Sequence, residues 1–389
     1  MSEYQYYEFQ AIDQPLSQAQ MAELRALSTR ATITPTRFQN FYTWGDFRGR
    51  PDTLMERYFD AFVYVANWGT HRLMLRFPRR LLDRATVSPY ATEESLRAWT
   101  TAGHVVVDFH SQVEYGEDDD DGQGWMASLL PLRAELASGD LRALYLGWLA
   151  GVQAEEVDEA ALEPPVPPGL GTPSAALRAL VAFLRLDADL LEIAASTSAA
   201  LAPRPSRRAL AQWLDALPGP DKTELLVRLV ADGDPHVRLE LLRQFEEARA
   251  PDRAAVARTR RRTAEELLTS AERQAEAKQR AAAERAARER ARQEREQAAA
   301  RATYLDSLVG REEQVWERIE ALVATKQQAS YAEAVQLVQD LHDLAAHAGT
   351  IEAFAVPLHS LRERHARKVT LLERLDRAGL SAPPAVTTR

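Results

Sequence analysis

Two hydrophobic periods alternate along the first ~150 residues, and together they predict a sheet interleaved with helices. Tyr4 to Ile12 (YQYYEFQAI) is aromatic and strand-prone. A helix follows, with Ser17 as its N-cap and Met21, Leu24 and Leu27 on one face. ATITPTRFQNFYTWG reads as strand again, and Pro35 favours an edge or a bulge there. A second helix near DTLMERYFDAFVYVAN places Leu54, Tyr58, Phe62 and Val65 on one stripe. THRLMLRFP and GHVVVDFHSQV then return to β-branched, alternating texture. This order predicts an α+β domain over 1–155, with helices on one face of the sheet and a ferredoxin-like arrangement as one candidate.

Beyond that the helical period dominates. GWMASLLPLRAELASGDLRALYLGWLAGVQA is apolar enough to pack back on the sheet. Five prolines in the twelve residues 163–174 cannot continue a helix, so 156–173 is expected to be a linker. A helical middle domain is predicted over 174–250. Within it, DKTELLVRLVADG and GDPHVRLELLRQF form one HEAT-like helix pair, with Asp234 as N-cap and Pro235 in the first turn. An ordinary small bundle explains a lone pair better than a solenoid, which needs stacked neighbours.

The next segment has no side for a partner. From Asp252 to Leu308 there is neither Gly nor Pro, and residues 271–301 contain only Ala, Glu, Arg, Gln and Lys. Such a run predicts a long charged helix over 251–303. A coiled coil needs apolar a and d positions, and only alanine is on offer. Alanine is the best helix former, and charges at i,i+4 such as Glu284 and Arg288 add support, so a solitary solvated helix is expected. Amphipathic texture resumes over 304–380 as a C-terminal helical hairpin module, and 381–389 (SAPPAVTTR) reads as a disordered tail. The fold class is therefore mainly α with an N-terminal α+β domain.

Charge and composition narrow the functional classes. The formal net charge is −9, and residues 108–121 hold seven acids with no Lys or Arg. The stretch 251–389 carries 24 basic against 21 acidic residues, far from a footprint built to neutralise phosphates. The chain has no cysteine, which excludes thiolate metal sites, disulfides and Cys nucleophiles. No signal-peptide pattern and no run of about 18 apolar residues is present, so a cytoplasmic protein without a membrane span is expected.

Catalytic signatures (GxSxG, the P-loop, GxGxxG, HExxH) are absent. One pair draws suspicion: on a strand, Asp108 and His110 share a face, near four more adjacent acids. They are the candidates for a divalent metal or for an acid/base pair, and hence for a metal-dependent hydrolase. The spacing of those acids is not that of a calcium loop, and the pattern favours a solvated face of an edge strand. His342 and His347, or His359 and His365, have no metal-binding spacing. The aromatics of the first domain, with Arg72 and Arg76, suit core packing better than base stacking. Arg258, Arg260, Arg261 and Arg262 form a cluster that can meet an acidic partner or a phosphate. They are the candidates for a second alternative, a nucleic-acid-associated subunit.

From Tyr304 the run YLDSLVGREEQVWERIEALVATKQQASYAEAVQLVQDLHDLA, ending HARKVTLLERLDRAGL, resembles the helical tail of bacterial SWIM zinc-finger proteins. That family's finger is a Cys-x-Cys…Cys-x-His site, and with no Cys here no metal ligand carries over. The resemblance implies a module of bacterial multi-protein assemblies. Arg367 and Lys368, with Leu371, Leu372 and Leu375 behind them, suit either a docking surface or the internal core of a helix hairpin, and the pattern favours the core. The expectation is a non-enzymatic scaffold that binds other proteins, needs no cofactor, and uses the long helix as a spacer between two binding ends.

Overall fold

The computed structural model describes residues 4–113, 121–201, 205–254 and 261–381. The chain forms two compact units, 1–278 and 279–389. It is mainly helical with an N-terminal α+β part, as its periodicity predicts.

In the first unit, seven strands make one sheet: β1 (Gln5–Gln10), β2 (Thr32–Thr34), β3 (Arg37–Tyr42), β4 (Ala61–Ala66), β5 (Thr70–Pro78), β6 (Leu96–Thr100) and β7 (His104–Gln112). The order is β2-β3-β1-β4-β5-β7-β6, every pair antiparallel. This is not a ferredoxin-like order. Three helices interrupt the strands: α1 (Gln18–Leu27), α2 (Pro51–Arg57) and α3 (Arg84–Val87). Ser17 caps α1 as expected, in a reciprocal box with Gln20.

Helices cover both faces of the sheet, which corrects the one-face expectation. Phe9, Phe38, Phe62, Met74 and Val106 bury one face under Leu24 of α1 and Leu54 and Met55 of α2. Residues one step out of phase, Val63, Val65, Leu73, Leu75, Val107 and Phe109, bury the other. Strands sealed on both sides read as near-continuous apolar runs, so alternation could not reveal a second layer. That layer is α4 (Trp125–Leu129), α5 (Pro131–Ala137), α6 (Arg142–Gln153), α7 (Ala175–Phe183) and α8 (Ala188–Ala195). Leu180 and Leu190 therefore belong to the same core as the sheet, not to a separate middle domain.

The 156–173 segment is likewise a packed strap rather than a linker. Leu170 is buried, Tyr90 Oη donates to the Pro165 carbonyl, and the Gly169 amide donates to Ala199. Three further helices complete the run: α9 (Arg207–Ala216), α10 (Gly219–Val230) and α11 (Val237–Ala254). The expected helix pair is α10–α11, and no side chain of α9 or α10 is fully buried. Asp234 Oδ1 accepts from the His236 amide at 2.9 Å in the turn ahead of α11, whose first bond runs from the Glu240 amide to the His236 carbonyl, two residues beyond the expected cap.

The long helix α12 spans Ala264–Asp306, 43 residues or about 65 Å. It begins thirteen residues later than expected and ends three later. Thr263 Oγ1 accepts from the Glu266 amide and Glu266 Oε2 accepts from the Thr263 amide, both at 3.1 Å, a capping box that sets the start. Its first turns bury Ala264, Leu267 and Ala271 in the first unit's core.

The second unit packs α13 (Glu312–Ala324), α14 (Gln328–Ala348), α15 (Ile351–Arg364) and α16 (Val369–Arg377) around Ile319, Val338, Leu341, Leu361 and Leu375. Arg301, near the end of α12, bonds Asp340 at 2.6 Å and Asp343 at 2.7 Å, and Tyr304 Oη donates to Asp340 at 2.9 Å. The module thus holds four helices beyond α12, more than a hairpin.

Candidate functional site

Asp108 sits where four elements meet. β7 is not an edge strand, because β6 lies outside it. In register, Arg97 of β6 is opposite Asp108, and Arg72 of β5 is opposite His110. The carboxylate is fully buried, forked by Arg72 and met once more by Arg97. Arg72 Nε reaches Oδ1 at 2.8 Å and its Nη2 reaches Oδ2 at 2.9 Å, while Arg97 Nη2 meets Oδ2 at 2.8 Å. Arg72 also bonds Asp52 of α2 at 2.6 Å. The favoured solvated-face reading of Asp108 is therefore corrected: its side chain is the hub of an ion cluster linking β5, β6, β7 and α2. Bidentate charge-assisted bonds give it geometric definition, and two guanidinium groups on the same oxygens oppose a divalent cation there.

His110 lies at the rim of a cleft of about 140 Å³, also lined by Glu94, Ser95, Gln112, Gln153 and Glu156. Burial pushes its imidazole below the ordinary value, against the attraction of Asp108. Glu156 closes the floor: it accepts from the Ser95 hydroxyl at 2.7 Å and from the amides of Ser95 at 2.8 Å and Glu94 at 3.0 Å. Burial raises the Glu156 carboxyl, and those bonds outweigh it and hold the group below its usual range. The Ser95 hydroxyl donates to a carboxylate that two backbone amides already hold below its usual range, which makes Glu156 a weak base for activating it. Among the described residues no three His, Asp or Glu side chains converge to hold a metal ion. The acidic residues 114–120 lie outside the described residues.

Of the arginine cluster, Arg258 and Arg260 lie outside the described residues. Arg262 turns inward, whereas Arg261 stays exposed. Arg262 clasps the buried Glu163, Nη2 to Oε1 at 2.7 Å and Nε to Oε2 at 2.9 Å, and donates to the Ile193 carbonyl at 2.7 Å. Tyr145 Oη donates to the same carboxylate at 2.5 Å. Arg261 Nε donates to the Glu163 carbonyl. These two anchor the start of α12, and the expected outward cluster is corrected for Arg262. Lys368 is also engaged, donating to the Val323 carbonyl at 2.6 Å, whereas Arg367 is exposed. His365 bonds Glu320 at 2.7 Å, and His342 packs edge-on against Phe354.

Periodicity missed two other features. One is a buried chain of charges: Arg76 to Asp60 at 2.8 Å, Arg133 to Asp13 at 2.6 Å, and His236 to Asp13 at 3.0 Å. It ties β5, α5 and the loop before α1 to the start of α11, and its partners are too far apart in sequence for spacing to expose. The other is Trp44, 67% exposed, with the Arg30 guanidinium 4.0 Å over its ring. The remaining first-domain aromatics, such as Phe9, Phe38, Phe59 and Phe62, fill the core as expected. Among the described residues no helix is long and apolar enough to cross a membrane. The chain matches no family model, no curated protein and no solved structure.

Proposed function

We propose that the chain is a non-enzymatic interaction protein: two folded units that bind other proteins, with α12 as the spacer between the binding surfaces. The observation that carries this reading is the surface of α12. From Glu272 to Ala300 no side chain is buried, and the division between the compact units falls within this stretch. Up to Lys278 the helix is still tied to α8, Gln274 to Asp189 at 3.1 Å and Lys278 to Glu192 at 2.6 Å, and beyond it propensity and local charge pairs support the helix rather than packing. Glu284–Arg288 at 3.7 Å and Glu289–Arg292 at 2.8 Å are two such pairs. Each end is held by a partly or wholly buried ion cluster, Glu163–Arg262–Tyr145 in one unit and Asp340–Arg301–Tyr304 in the other.

The resemblance of 304–380 to the tail of SWIM zinc-finger proteins supports a bacterial multi-protein assembly as the setting, with Arg367 among the contact residues. The engagement of the Ser95, Glu156 and Asp108 side chains by their neighbours weighs against a hydrolase.

The test is affinity capture with immobilised full chain, residues 1–278 and residues 279–389. The proposal expects a distinct protein retained by each half and both retained together by the full chain. Retention of nothing by either half, or turnover of a hydrolase substrate that is lost on Asp108→Ala, would refute it.

A further inference from the structure

The loop 43–50 (TWGDFRGR), between β3 and α2, is rigidly built and yet presents its largest side chain to solvent. Phe47 is buried among Tyr7, Phe9 and Phe38 and pins the loop from below. Gly49 backs so closely on that ring that a Cβ there would come within 2.5 Å of it. Gly45 has φ +72°, a conformation that favours glycine, and Gln5 Nε2 holds Asp46 at 3.0 Å. A loop constrained at three points would be expected to bury a tryptophan if it served only the fold. Instead Trp44 stands out, stacked by Arg30, whose own segment is fixed by Arg25 donating to the Ala31 carbonyl.

The charge of this surface runs against that of the chain. Arg48 and Arg50 are exposed in the same loop, and Arg30 adds a third cation. Of the nearby acids, Asp52 is paired with Arg72, and Asp46 keeps its charge while accepting from Gln5, so the three guanidinium groups leave the surface net positive. Trp and Arg are the side chains that most often carry interface energy, and a preformed loop spares the ordering cost of binding.

We infer that the Trp44 loop, with Arg30, Arg48 and Arg50, is a docking surface for an acidic peptide segment of a partner protein that carries an aromatic side chain. The aromatic ring packs on Trp44 and the carboxylates meet the three guanidinium groups. A nucleic acid is disfavoured because the formal net charge of the chain is −9. This assignment rests on the reading of the chain as an interaction protein.

The experiment is fluorescence anisotropy of the full chain with a labelled short Glu/Tyr peptide, and in parallel with labelled oligothymidylate. The expected result is saturable binding of the peptide that weakens about 30-fold in Trp44→Ala, less in Trp44→Phe, and that falls with added salt. The triple variant Arg30→Ala/Arg48→Ala/Arg50→Ala should lose the salt dependence. Because these side chains are exposed, the variants should melt as the parent does. The assignment is overturned by no binding of the peptide, by equal binding in Trp44→Ala, or by Trp44-dependent binding of oligothymidylate in its place. Any of these leaves the spacer reading standing, since that is tested by the capture of each half.

Discussion

At the scale of single residues, the decisive feature is how buried charge is handled. Asp13 is the clearest case. Burial raises its carboxyl, but hydrogen bonds from His236 and Arg133 outweigh that and hold it at about 2, against an ordinary 3.8. The unfolded chain therefore binds more protons than the folded one between those values. The stabilisation, on the order of 1–2 kcal/mol once solvent screening is allowed for, is fully present above pH 3.8 and is lost as the pH falls through about 2. Asp13→Asn should lower stability at pH 7 by that order and flatten this part of the acid limb in urea unfolding. An acid limb unchanged from the parent would disprove the role. His110 works in the same pH direction for the opposite reason: burial depresses it, so stability falls as pH drops below the ordinary histidine value.

Asp108 makes a second residue-scale prediction. Asp108→Ala leaves Arg72 and Arg97 without their shared carboxylate, and breaking a buried pair in this way costs about 3–5 kcal/mol. Chemical denaturation should show a loss of that size, and a loss below about 1 kcal/mol would mean that the cluster is not a clamp. Asp108 and His110 stand out in the sequence, but their surroundings differ from the solvated edge that the pattern favours. Shared orientation on a strand is legible from a period of two, whereas burial depends on which strand lies outside, and that is set by β6 pairing through Arg97. Trp44 was legible only as one aromatic among many, because exposure is a property of the finished loop.

At the scale of elements, local rules worked where they act alone. The Ser17 cap, strands β1, β2, β3, β5 and β7 and the poverty of large side chains in α12 follow from neighbouring residues, whereas the run expected as a second helix ends at Arg57 and continues as β4, and β6 carries no signal of its own. They failed where distant residues decide. The prolines of 163–174 read as a linker, yet the strap is pinned by Tyr90, Ala199 and Arg262, far away in sequence. Helix propensity continues unbroken through 252–263, but α12 starts at its Thr263/Glu266 box and the Glu163 clasp. Glu163→Ala should therefore strip the carboxylate shared by Arg262 and Tyr145. Amide exchange in the first turns of α12 should speed markedly while exchange in β4 and β5 stays slow. Uniform protection in both places would contradict the clasp.

At the scale of the whole molecule, a spacer requires α12 to be stiff beyond Lys278, where its bonds to α8 end. The chain contains no cysteine, so spin labels can be placed at Gln279→Cys and Ala300→Cys without background. Both positions lie on the exposed stretch. The direct measurement is the distance distribution between these labels in solution by double electron–electron resonance. A continuous helix predicts one narrow peak near 32 Å along the axis, broadened by Ala286→Pro, which costs a helix interior about 3 kcal/mol. A broad distribution in the unsubstituted helix, or one unmoved by Ala286→Pro, would contradict the spacer.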